Sequence, residues 1–176
     1  MCGLCCDGTM FAWAPIGPDD KEKILQVGGF IVKLHHAGHR FLLPCNHHQN
    51  GRCDIYHSWR PEICRTHKCK LLRRFLKGDL SFNQATIIIQ ETINHVNRIR
   101  EQLSDTGIGT GNNLSKRFKE WQKTQGDSGE MDWRKRNQTF ILDYIALGWR
   151  LNPYFRNKKK TDKPTIQLEL HEHSNN

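Results

Sequence analysis

No stretch of this sequence approaches the roughly 20 consecutive apolar residues that a membrane-spanning helix needs, so no membrane is expected as a partner. The N-terminus carries neither the basic n-region nor the apolar h-region of a signal peptide. Secretion is therefore not expected, and a cytoplasmic location is. Apolar residues are themselves scarce. On a tally that counts Gly and omits Tyr, typical chains hold about 45–50%, and this one about 42%. Across 176 residues that suits one domain with a modest core. Cysteine is missing after position 69, and no internal repeat is visible.

What the front of the chain does contain is sulfur and imidazole. All 7 cysteines (Cys2, Cys5, Cys6, Cys45, Cys53, Cys64 and Cys69) lie in the first 69 positions, with His35, His36, His39, His47, His48, His57 and His67 among them. In a reducing cytosol a disulfide framework would not persist, and an odd number cannot pair completely. Metal binding is the leading explanation.

The expected fold class is α+β: a small irregular cysteine-rich metal module with a β-hairpin, followed by C-terminal helices. Residues 1–150 are expected to form a single domain, with the metal module over 1–77 and the helical part over 78–150. Residues 151–176 form a basic polar tail expected to be disordered, with Ile166, Leu168 and Leu170 alternating like a docking strand. In the module, Phe30 to Leu34 and Arg40 to Pro44 read as two strands around Ala37-Gly38-His39. Asn50-Gly51 marks a turn before Cys53. Pro61 fits the first position of a helix with Glu62 at its positive end. Farther on, Ser81 is a plausible N-cap for a helix to Leu103, whose apolar stripe is Phe82, Ala85, Ile89, Ile93, Val96 and Leu103. Gly107-x-Gly109-x-Gly111 follows no strand in the way a dinucleotide fingerprint must, and reads as a linker. Two more helices carry Leu114, Phe118 and Trp121, then Trp133, Phe140, Ile141, Tyr144, Ile145 and Gly148. Aromatics at that spacing usually face a core.

Cys2-x-x-Cys5-Cys6 is a compact chelating loop, because a two-residue spacer lets both thiolates turn toward one ion. Side chains of adjacent residues diverge, so Cys5 and Cys6 suit two metal atoms or two sites better than one. A thioredoxin-type redox pair would require a βαβ context that is missing here. If Pro61 opens a helix, Cys64 lies in its first turn, where the dipole is expected to lower its pKa. The five-residue step to Cys69 does not stack on a straight helix, so a break between them is expected. Residues 46–77 carry eight basic and two acidic residues. Four thiolates on zinc, or on an oxidised four-iron cluster, leave about two negative charges, which partly buried charge requires to be compensated. Arg60 and Arg65 are the candidates beside such a centre. Of the histidines, at most one each of His35/His36 and His47/His48 could face a common metal.

Cys2-Gly3-Leu4-Cys5-Cys6, Cys45, Gly51-Arg52-Cys53-Asp54-Ile55-Tyr56 and Arg60-Pro61-Glu62-Ile63-Cys64-Arg65-Thr66-His67-Lys68-Cys69, in that order, resemble the CxxCxxCC family of zinc- or iron-chelating proteins, also called YkgJ-like cysteine-cluster proteins. The resemblance covers about residues 2–77. It implies that the seven cysteines hold zinc or an iron–sulfur cluster, and that His67, standing where an aromatic residue is expected, is a possible additional ligand. The family motif has a further cysteine three residues before Cys2, which points to an upstream start and to two four-thiolate sites. A related module occurs in flagellin lysine N-methylases, which raises a metal-dependent modifying enzyme as the alternative function.

A third reading is a nucleic-acid-binding module, prompted by the net charge of +9 and the zinc-like cysteines. No nucleic-acid motif fits, and a solvated basic face explains the charge better, so contact with nucleic acid would be non-specific. A protein partner for the helices is conceivable and unidentified. The leading expectation is a cytosolic metalloprotein with zinc or an iron–sulfur centre and no assigned reaction.

Overall fold

A computed structural model of the chain describes residues 2–34, 38–106, 113–126 and 133–156. It is an α+β fold, as expected. A small antiparallel sheet and a two-stranded ribbon occupy the front, and helices pack behind them.

The expected hairpin forms from β2 (Ile31–Leu34) and β3 (Gly38–Leu42), paired from Ile31↔Phe41 to Leu34↔Gly38. The sequence reading missed the third strand, β1 (Trp13–Pro15), which pairs with the other edge of β3. Alternation sorts the faces. Phe41 points inward with Ile31 and Ala14, joining Ile24 and Leu43 in a small core that Cys45, Trp59 and Ile63 also touch. Trp13 and its partner Leu42 face out, and the Arg40 guanidinium lies 5.0 Å from the Trp13 ring. The core-forming Ile24 comes from α1 (Lys21–Gln26).

The ribbon pairs β4 (His48–Gln49) with β5 (Arg52–Cys53) through Asn50 and Gly51, both at positive φ as a tight turn of this type demands. Next come α2 (Glu62–Thr66) and α3 (Lys70–Leu76), so the helical run does break between Cys64 and Cys69.

The long helix α4 (Phe82–Ser104) starts at Ser81, whose hydroxyl accepts the Gln84 N–H while the Gln84 side chain accepts the Ser81 N–H. This reciprocal cap satisfies two donors that a helix start leaves free. Its buried face is Ala85, Thr92, His95, Val96, Ile99 and Leu103. Phe82, expected in the stripe, is 70% exposed. It precedes the first full turn and leans on Phe75 of α3 instead of the core. The helices α5 (Leu114–Gly126), α6 (Trp133–Arg136) and α7 (Gln138–Tyr154) complete the bundle. Phe118 stacks on Tyr144 at 3.6 Å, and Trp121 meets Phe140 edge-on at 4.7 Å. The aromatic ladder thus faces the core. His95 joins α4 to α7 through Asp143, its Nε2 lying 2.9 Å from the Asp143 carbonyl oxygen and 3.0 Å from the carboxylate.

Helix α7 runs past residue 150, and Leu151 and Phe155 are buried. The glycine loop at 107–111 and the alternating stretch at 166–170 lie outside the described residues. Among the described residues, no helix is long and apolar enough to cross a membrane.

Candidate metal centre

The chelating loop is a tight coil locked at both ends. Gly3 takes φ +69°, and its carbonyl accepts the N–H of Cys6 at 2.8 Å and of Asp7 at 3.0 Å. Between the thiols, Leu4 is 1% exposed and sits in the main helical core with Met10, Leu71, Val96 and Ile99. Burying a leucine is worth roughly 1.5–3 kcal/mol, so this one side chain fixes the loop to the helices. Asp7 accepts the Thr9 N–H at 2.8 Å, and its carboxylate meets Arg100 of α4 at 3.1 Å. Arg100 also donates to the Asp7 carbonyl at 3.0 Å and to the Thr9 hydroxyl at 3.1 Å. The sequence reading did not single out Asp7; the Asp-Gly pair after Cys6 was its one visible signal.

The other four cysteines arrive on separate elements. Cys45 follows the sheet and donates its N–H to the Cys6 carbonyl at 2.7 Å. Cys53 ends the ribbon opposite His48. Cys64 lies in α2, whose first N–H, that of Glu62, is accepted by the buried Asp20 carboxylate at 2.9 Å. Cys69 caps α3, its Sγ accepting the Leu72 N–H at 3.4 Å.

Mutual repulsion reveals which thiols are neighbours. Burial pushes the Cys6 thiol up to about 12, assisted by the negative charge that Cys64, Cys45 and Cys53 would carry. Cys64 is pushed up to about 11 by burial and then by Cys45 and Cys53, against the pull of Arg60. Cys45 is raised, burial first and Cys53 after it, while the backbone N–H groups of His47 and His48 pull it down. Cys5 is raised most clearly by burial, then by Cys2, Cys69 and Cys6. Cys2 is raised by burial, with Cys69 and Asp7 adding to it. Two sets emerge: Cys6, Cys45, Cys53 and Cys64 in one, Cys2, Cys5 and Cys69 in the other.

The helix dipole does not lower Cys64 as expected. A five-residue helix presents little dipole, and partial burial beside two other thiols outweighs it. Among the described residues, no group of three or more His, Cys, Asp or Glu side chains is drawn close enough to hold an ion as it stands. The sets are neighbourhoods of protonated thiols.

Two imidazoles border them. The Nε2 atoms of His48 and His67 are buried without a hydrogen-bond partner. His48 packs so closely on Gly3 that a Cβ there would collide with its ring. His67 meets the Phe11 ring edge-on at 5.4 Å, and burial, then Arg73, lowers its pKa, which favours the neutral imidazole. His47 is engaged elsewhere, at 2.7 Å from the Val27 carbonyl oxygen, and His57 packs on Tyr56. His35 and His36 lie outside the described residues. Arg60 stacks 4.0 Å over Tyr56 and reaches Cys64 electrostatically, whereas Arg65 is exposed on α2.

Comparison with known proteins finds no matching family model, no matching curated protein and no matching solved structure.

Proposed function

We propose that this protein is a metal-binding cysteine-cluster protein that holds zinc or an iron–sulfur centre through the thiolates of Cys2, Cys5, Cys6, Cys45, Cys53, Cys64 and Cys69. One observation carries the reading: thiols from five separate segments gather into buried, mutually repelling sets. Apolar packing alone gives no reason to bring seven of them together. Bound metal does, because a cation replaces the thiol protons and compensates the repulsion that raises every shifted thiol.

The donor chemistry fits this reading. Soft sulfur suits zinc and iron–sulfur clusters and poorly suits magnesium or calcium. Arg60 beside Cys64 supplies part of the positive charge that a four-thiolate centre leaves wanting. The resemblance to the CxxCxxCC family rests on the same residues. In this role the metal supplies folding energy, tying the loop at 2–6, the ribbon and α2–α3 into one unit.

The test is anaerobic purification of the full chain with elemental analysis, sulfide determination and a visible spectrum. Stoichiometric zinc in colourless protein, or iron with sulfide and a broad visible absorption that reductant bleaches, is the expected result. Protein that is metal-free as isolated and takes up neither zinc nor iron with sulfide on reconstitution would overturn it.

A further inference from the structure

The seven thiols pose a partition problem that adjacency makes acute. Cys5 and Cys6 are consecutive, and their side chains enter different neighbourhoods. The packing divides in the same place. Cys2 and Cys69 lie against the large helical core built on Leu4, Leu71 and Val96. Cys45 lies against the small sheet core of Ile24, Phe41 and Leu43, beside Ile63, the residue preceding Cys64. Backbone bonds follow the division too. Cys45 is tied to Cys6 at 2.7 Å, and Lys70, next to Cys69, donates to Phe155 at the end of α7 at 3.3 Å.

We propose that the cysteines form two separate metal centres of unequal closure: a four-thiolate centre on Cys6, Cys45, Cys53 and Cys64, and a three-thiolate centre with an open fourth position on Cys2, Cys5 and Cys69. This rests on the metal-binding reading above and specifies its ligand sets. The first centre has a complete tetrahedral complement, the arrangement of purely structural sites. Its ligands come from the loop, the sheet exit, the ribbon and α2, so it clamps the module together. The second has one thiol too few for closure. Three protein ligands with one exchangeable position is the pattern of zinc sites that take an outside ligand. That ligand is a soft or nitrogen donor, a thiolate or an imidazole. The second centre therefore binds and releases metal more readily than the first.

Cobalt(II) is a suitable probe, because its d–d and sulfur charge-transfer bands report tetrahedral thiolate ligation. Titration of the reduced full chain is expected to saturate at two equivalents. Removal by a chelator is expected in two phases of equal amplitude. Cys53→Ser should leave one equivalent, removed in the fast phase. Cys69→Ser should leave one equivalent, removed in the slow phase. Added imidazole should shift the bands of Cys53→Ser and leave those of Cys69→Ser in place. Saturation at one equivalent, abolished by either substitution, would mean a single shared centre and would sink the partition while leaving metal binding intact. Failure of the unaltered chain to bind cobalt, zinc or iron would sink the metal reading itself. If a variant does not fold, the unaltered chain still decides, since monophasic removal contradicts two unequal centres.

Discussion

The backbone N–H of Cys45 donates to the carbonyl oxygen of Cys6 at 2.7 Å. This bond joins the end of the sheet to the end of the N-terminal loop at the point where the two neighbouring cysteines part. It holds the Cys6 side of the loop toward the ribbon and α2, while Leu4 holds the other side in the helical core. The loop is thus a hinge-free link between two small cores.

Leu4→Ala is expected to cost about 2–5 kcal/mol, the usual range for emptying a fully buried leucine site. It should also loosen metal held through Cys2 and Cys5, because the loop loses its anchor. Urea unfolding with a parallel chelator-release assay checks both effects. A loss below about 1 kcal/mol would show that the loop is not held by this side chain.

Arg100→Met leaves the largely buried Asp7 carboxylate without its partner and is expected to cost about 1–3 kcal/mol. Because Asp7 adds to the repulsion at Cys2, Cys5 and Cys6, the same change should weaken metal retention. Asp7→Asn in the Arg100→Met background should recover part of both losses. A double-mutant cycle on unfolding free energies tests this, and strict additivity would contradict the coupling.

Metal-free protein should lose stability at high pH. Folding raises Cys6 to about 12 and Cys64 to about 11 from an ordinary 9.0, burial being the first cause in each. A group raised on folding contributes stability that is complete below its unfolded value and is lost as pH climbs through the folded one. The fall should therefore begin near pH 9 and continue through 11 to 12. Urea midpoints of the reduced, metal-free chain across this window, compared with Cys6→Ser, are the measurement. The variant's curve should be flatter. Metal uptake should run the other way, weakening as pH falls, because each thiol must surrender its proton.

The exposed start of α4 gives a contrast within one helix. Ile99→Ala should cost about 2–5 kcal/mol, since Ile99 is fully buried. Phe82→Ala should stay within about 1 kcal/mol, the loss being its contact with Phe75. Thermal unfolding of the two variants settles the order, and equal destabilisation would contradict the buried face assigned here.

Much of the architecture was legible locally. The hairpin could be read from Phe30 to Pro44 because alternation and β-branched residues act between neighbours. The cap at Ser81 and the break between Cys64 and Cys69 could be read because capping and helical stacking act within a turn or two. Strand β1 escaped, since three residues, one of them proline, carry almost no periodic signal and owe their conformation to pairing with β3. Phe82 was placed on the wrong side of its helix surface because spacing alone does not say where a neighbouring helix ends.

By itself the sequence determined the chemistry on offer: soft sulfur donors crowded into the front module, a chelating spacing at Cys2 and Cys5, and an adjacent pair that cannot serve one ion comfortably. Spacing and side-chain divergence are properties of the local chain, so they survive without a fold. Only the tertiary structure decided the company each thiol keeps, that Cys6 joins Cys45, Cys53 and Cys64 while Cys5 joins Cys2 and Cys69. It also brought Asp7 to Arg100 and aimed the unpartnered His48 ring at Gly3. Those groupings depend on which of two cores each segment packs against, a contest between long-range burial terms that no local pattern records.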